Sequence, residues 1–182
     1  IRPMTADDLA RLCEAAQALP ALMVTLAPES ATPDQIAALT KAGAVVSLGH
    51  SDCSYDTALA AHRAGARLAT HLFNAMSQIG NREPGLAGAV LTSDLQAGII
   101  ADGIHVHPAT LRLALAAKPL GLFLVTDCMA FAGSTASELH LNGRLVRRQN
   151  GRLTLADGTL AGADLTMPQA IRTLITQADC PV

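Results

Sequence analysis

Four ionisable residues stand at comparable places in this sequence. His50, His71, His105 and Asp127 each close a short apolar run: VVSLGH, LATH, GIIADGIH and LFLVTD. A fifth run, VTLAPE, ends at Glu29. Neutral imidazole is the commonest metal-ligating side chain and suits zinc and similar divalent ions. A carboxylate beside such an ion can take a proton from an attacking water and return it to a leaving group. The set therefore points to metal-assisted hydrolysis, with His50 and His71 as a ligand pair and Asp127 as the proton-transferring residue. A catalytic metal wants three protein ligands and an open position, so a third ligand is still to be found.

The remaining polar residues divide less cleanly. His105 reads as a ligand, a hydrogen-bond donor to substrate, or a loop residue. His107, immediately before Pro108, reads as a cap on the next helix. Arg82, in GNREPG, is a candidate anion clamp, because guanidinium suits bidentate phosphate binding. Glu29 either sits on a strand tip or serves the helix that follows. His62 and His140, on a helix and a hairpin, are assigned no function.

The elements that position these residues follow from periodicity. Continuous apolar runs of this length read as strands buried on both faces, as in a parallel sheet wrapped by helices. The tips at 29, 50, 71, 105 and 127 are 21, 21, 34 and 22 residues apart, one strand–helix unit each with one insertion. In a (β/α) barrel such tips converge on one mouth, and ionisable residues there read as catalytic. Helices are expected over 5–18, from Thr32, from about 56 to 63, from Pro108, and over about 167–178. Thr32 with Gln35 forms a capping box, and Pro33 takes the first helical position. Gly43 and Gly65 stop two of the helices. Strands are expected over 23–29, 44–50, 96–103 and 121–127. KAGAVVSLGH and RAGARLATH repeat one pattern of helix end, glycine stop, strand and terminal histidine. The segment SQIGNREPG, 77–85, is a loop and accounts for the insertion. After Asp127, NG at 142–143 and 150–151 and DG at 157–158 mark hairpin turns.

The fold class is therefore α/β: a partial (β/α)8 barrel of about five parallel strands, with a small β-hairpin excursion at 138–156. Residues 1–182 read as one domain. A closed eight-stranded barrel takes about 250 residues, so three units are expected upstream, and the initial Ile in place of Met favours cut ends. Half of the chain is hydrophobic, with no Trp, one Tyr and three Phe, so Ala, Leu, Val and Ile must fill the interior. A net charge of −2 without blocks of like charge favours neither nucleic acid nor an anionic membrane surface. No apolar run reaches the ~18 residues of a membrane span. Cys13, Cys53, Cys128 and Cys180 show no CxxC spacing and read as reduced thiols of a cytoplasmic protein.

The ordered runs TLAPE, GHS, ATHLFNAM, REPGLAGAV, GIIADGIHV, LVTD and TLAGADLTM carry a more specific signal. Through them the chain resembles the N-acetylglucosamine-6-phosphate deacetylases, a family of the amidohydrolase superfamily of metal-dependent barrels. The resemblance implies that His50 and His71 bind the divalent metal, zinc first, with iron, cobalt or manganese as alternatives. It implies that Asp127 transfers the proton and that His105 hydrogen-bonds the substrate and polarises its acetamide carbonyl. It implies sugar-phosphate contacts from Asn74 and Ala75, a phosphate contact from Arg82 in a homodimer, and a sugar pocket lined by Leu160, Ala161 and Gly162. The reaction implied is hydrolysis of N-acetyl-D-glucosamine 6-phosphate to D-glucosamine 6-phosphate and acetate. The alternatives are the galactosamine epimer as substrate, or an inactive piece that only binds sugar phosphate or a partner subunit. The family's third ligand, a glutamate in an HLEGP-type motif, and its small β-sandwich domain have no counterpart here. In LAGAD an alanine follows the Gly where the family often has serine. The central and C-terminal part of the barrel is the expected extent.

Overall fold

The computed structural model describes residues 2–141 and 143–180. Local signals start its first helices. Thr5 caps α1 (Ala6–Ala18), its hydroxyl accepting from the Asp8 N–H at 3.2 Å while the Asp8 carboxylate accepts from the Thr5 N–H at 2.9 Å. Thr32 and Gln35 repeat this reciprocal cap at α2 (Pro33–Lys41), with Pro33 in its first turn. Ser54 caps α3 (Tyr55–Arg63). Gly43 and Gly65 lie just beyond α2 and α3 with φ of 101° and 121°. At Gly65 a Cβ would also lie 2.6 Å from the Thr40 hydroxyl, so the turn requires glycine.

The strands between these helices are β1 (Met23–Leu26), β2 (Val45–Leu48), β3 (Leu68–Ala69), β4 (Gln96–Ile99) and β5 (Leu122–Leu124). They form one sheet in the order β1-β2-β3-β4-β5, and all five run parallel. Val46, Ser47 and Leu48 are all buried, as strands covered on both faces require. Every strand is shorter than its apolar run suggests. β1 stops at Leu26, and Glu29 belongs to a 3₁₀ turn, Pro28–Ser30, not to a strand tip. β4 ends at Ile99 where the sequence suggests 103.

Two elements depart from the sequence reading. A short helix, α4 (Gly85–Thr92), follows the loop at 77–85. Gly85, Leu86, Ala87, Gly88, Ala89 and Val90 are all buried, so it has no polar face to mark it in the sequence. Second, the hairpin at 138–156 is the larger part of a four-stranded antiparallel sheet that runs on to residue 163. Its strands are β6 (Glu138–Leu141), β7 (Arg144–Gln149), β8 (Arg152–Thr154) and β9 (Leu160–Ala163), in that order. Between β7 and β8, Asn150 and Gly151 have φ of 51° and 72°, a two-residue turn closed by Gln149 opposite Arg152. Asn142, in the first NG turn, lies outside the described residues. Helices α5 (Pro108–Ala117) and α6 (Met167–Gln177) match their expected starts.

The chain divides into two compact units, Ile1–Gly98 with Ala117–Phe123, and Ile99–Ala116 with Leu124–Val182. In the first unit Leu26, Val46, Leu48, Leu72, Leu86, Val90 and Leu95 form the buried interior. In the second, Phe131, Val146 and Leu153 make a buried cluster under the antiparallel sheet. Among the described residues no helix is long and apolar enough to cross a membrane.

Candidate functional site

In the first unit, His50 follows β2 and His71 follows β3. Both leave their strands in the left-handed region, with φ of 50° and 36°. A non-glycine residue there costs on the order of 1–3 kcal/mol, and such positions cluster at functional sites. The turn aims the two rings at each other. Their Nε2 atoms are 3.0 Å apart, with the rings edge to face at 72°. His71 is buried and its Nδ1 has no hydrogen-bond partner, so only Nε2 anchors the ring.

Two nitrogens on one tetrahedral zinc at ~2.0–2.1 Å lie roughly 3.3 Å apart. The observed pair is within a few tenths of that edge and fits as two ligands of one ion. No group of three His, Cys, Asp or Glu side chains comes together among the described residues.

Around His50 the backbone is tied down by Glu29. Its carboxylate accepts from the Ser51 hydroxyl at 2.5 Å and from the Asp52 N–H at 3.1 Å. Glu29 therefore serves the His50 loop and not the cap of α2, which Thr32 and Gln35 complete by themselves. Ser51 donates its backbone N–H to the Ala75 carbonyl and accepts the Ser77 N–H on its own carbonyl. These bonds join the GHS and HLFNAM segments. A cavity of about 520 Å³ is lined by Glu29, His50, Ser51, Asp52, Ala75 and Met76. Phe73 and Ala75 are also left-handed, at 73° and 47°. Asn74 donates its backbone N–H to the His71 carbonyl and its side-chain amide to that of Leu72. Arg82 is exposed in its loop.

In the second unit, Asp127 follows β5 and is again left-handed, with φ of 48°. Its carbonyl accepts from the Ala163 N–H at 2.8 Å. Gly162 has φ of 70°, and a Cβ there would lie 3.0 Å from the Asp127 oxygen and 2.7 Å from Met129 Cγ. Gly162 thus packs against the backbone of Asp127, while Leu160 and Ala161 line a cavity of about 430 Å³ with Leu141, Arg144, Val146 and Leu155. The loop after Asp127 is held by Arg148, which pairs with Asp164 and donates to the carbonyls of Phe131 and Ser134.

His105 is held by a residue that the sequence reading passed over. Asp102, three residues earlier, contacts the His105 Nδ1 at 2.6 Å. Burial opposes the Asp102 carboxylate, but hydrogen bonds from the His105 ring and the Ile104 and His105 amides hold it below the usual range. The signal is present in ADGIH as a carboxylate three residues before a histidine. His107 caps α5, its Nδ1 accepting from the Ala109 N–H, and His62 binds the Ala66 carbonyl, as supporting roles predict.

No family model matches the chain, but whole-chain comparisons are informative. It is 46% identical over 160 residues to an N-acetylgalactosamine-6-phosphate deacetylase of Shewanella, covering 85% of the chain and 40% of that protein. It is 37% identical over 185 residues to an N-acetylglucosamine-6-phosphate deacetylase of Haemophilus influenzae, covering 100% of the chain and 48% of that protein. The crystal structure of N-acetylglucosamine-6-phosphate deacetylase from Pasteurella multocida superposes with a TM-score of 0.94 at 38% identity, over 100% of the chain and 48% of that structure. The chain spans less than half the length of these relatives.

Proposed function

The chain belongs to the N-acetylglucosamine-6-phosphate deacetylase family, and from that premise we propose that it serves the hydrolysis of the acetamide of N-acetyl-D-glucosamine 6-phosphate. The products are D-glucosamine 6-phosphate and acetate. The observation that carries this reading is the His50–His71 pair, two imidazole nitrogens brought to 3.0 Å by left-handed turns at two strand ends.

His50 and His71 would hold a divalent ion, zinc by preference, together with a third ligand from outside the described residues. When bound, such an ion brings the pKa of water towards ~7 and polarises a carbonyl. The chain's own residues do the rest. Asp127 takes the proton from the attacking water and gives it to the departing amine, a single carboxylate acting first as base and then as acid. His105 hydrogen-bonds the acetamide oxygen as charge develops there. Asn74 and Ala75 contact the sugar phosphate, Arg82 reaches the phosphate in a homodimer, and Leu160, Ala161 and Gly162 face the sugar. The reading carries with it a cytoplasmic setting.

A second reading, with the galactosamine epimer as substrate, is favoured by the 46% identity to the Shewanella enzyme. Acetate release from the two N-acetylhexosamine 6-phosphates separates them. The first test is bound divalent metal per chain, by elemental analysis after dialysis without chelator. Near-stoichiometric metal that is lost in His50→Asn and His71→Asn supports the site, since Asn tolerates the left-handed backbone and removes only the imidazole. Absence of metal from the wild-type chain leaves a sugar-phosphate-binding or subunit-contact role in place of catalysis.

A further inference from the structure

Asp102 carries a largely buried carboxylate that the chemistry above does not use. Its side chain and that of His105 are each only 7% exposed. One carboxylate oxygen, Oδ1, accepts the backbone N–H groups of Ile104 at 2.8 Å and His105 at 2.7 Å. The other, Oδ2, faces the His105 Nδ1 at 2.6 Å. An ionised carboxylate only accepts hydrogen bonds, so the shared proton belongs to Nδ1. A histidine's working nitrogen is defined by the bond its other nitrogen makes.

Resting on the reading of His105 as the residue that meets the acetamide, we propose that Asp102 is its positioning residue, fixing the ring through Nδ1–H and reserving Nε2 for the substrate. The three bonds form one clamp. The two amides fix the carboxylate through Oδ1, and the fixed carboxylate sets the plane of the ring through Oδ2. Neither bond alone would do both, because a ring held by one contact to a free carboxylate can still swing.

The clamp makes a specific forecast for Asp102→Asn. Two backbone N–H groups already point at the position of Oδ1, so the amide oxygen of Asn is retained there. Its NH₂ then faces Nδ1 and donates to it. The neutral ring must respond by moving its proton to Nε2. The substitution is nearly isosteric, so it changes the ring's protonation pattern with little change of shape.

Nitrogen-15 NMR of the histidine rings of the intact chain, with His105 assigned by its loss in His105→Gln, tests this. At a pH where the rings are deprotonated to the neutral form, the expected result is Nδ1–H on His105 in the wild type and Nε2–H in Asp102→Asn. The His62 ring, bound to a backbone carbonyl, should be unchanged in both. A bare Nδ1 in the wild type, or the same protonation pattern in both proteins, overturns the proposal. The wild-type spectrum decides even if the variant does not fold. Where N-acetylglucosamine 6-phosphate is turned over, kcat should fall on the order of 10- to 100-fold in Asp102→Asn, with KM little changed. An unchanged kcat overturns the functional half. A wild-type chain without turnover instead counts against the deacetylase reading and leaves the ring result standing.

Discussion

The carbonyl of Asp127 accepts the N–H of Ala163 at 2.8 Å, across a gap that leaves no room for a side chain on Gly162. The backbone of the proposed proton-transferring residue is therefore built against β9 of the antiparallel sheet. Gly162→Ala would place a methyl group 3.0 Å from that carbonyl in a left-handed conformation. A loss of about 2 kcal/mol is expected, from left-handed strain and overpacking together. Urea denaturation measures it, and a stability equal to wild type would refute the close approach.

Asp127→Asn separates charge from shape. Asn keeps the size of the side chain and tolerates a φ of 48° as well as Asp does. Turnover should drop by roughly 10²- to 10⁴-fold, the usual contribution of a general acid–base group. The thermal midpoint should stay within a degree or two of wild type, about what an exposed, strain-neutral change produces. Acetate-release assays and a melting curve on one preparation check both halves.

Ala75 carries backbone strain while its carbonyl accepts the Ser51 N–H. At φ 47° an L-residue costs about 1–2 kcal/mol, and glycine gives back about 0.5–1 kcal/mol of that through unfolded-state entropy. Ala75→Gly is thus expected to raise stability by about 0.5–1 kcal/mol. A destabilised variant would mean that the methyl group makes packing contacts worth more than the strain.

Asp102 should make the protein acid-sensitive. Its folded pKa lies below the ~3.9 of an unfolded aspartate, so the native state favours the charged form. That stabilisation is complete above about pH 4 and disappears as pH falls through the folded value. Chemical unfolding between about pH 6 and pH 2 should therefore show a steeper acid loss for wild type than for Asp102→Asn. Parallel curves would show that the carboxylate is not held as described.

Much of this was readable in the sequence, for local reasons. The Thr32–Gln35 cap, the Gly43 and Gly65 stops and the Asn150–Gly151 turn are each decided by a few adjacent residues. The strands were readable as apolar runs, but their ends were not, because a run stays apolar after its ladder has stopped. Helix α4 escaped because it is buried all round and so lacks the 3.6-residue contrast. Strand β9 was missed because its pairing depends on β8 across a bulge, which no local pattern records. His50 and His71 were recognised by residue type and register, whereas the 3.0 Å between their nitrogens needs both turns and is invisible in either. Glu29 was misplaced for the same reason: its partners, Ser51 and Asp52, lie more than twenty residues away.

The left-handed turns at His50, His71 and Asp127 also bear on engineering. A library ranked by heat tolerance alone would reward relaxation at such positions, since glycine removes strain that the native residue retains. The substitutions most enriched in such a screen are expected to be those that erase the site. Screening for heat tolerance and ligand retention together would keep them.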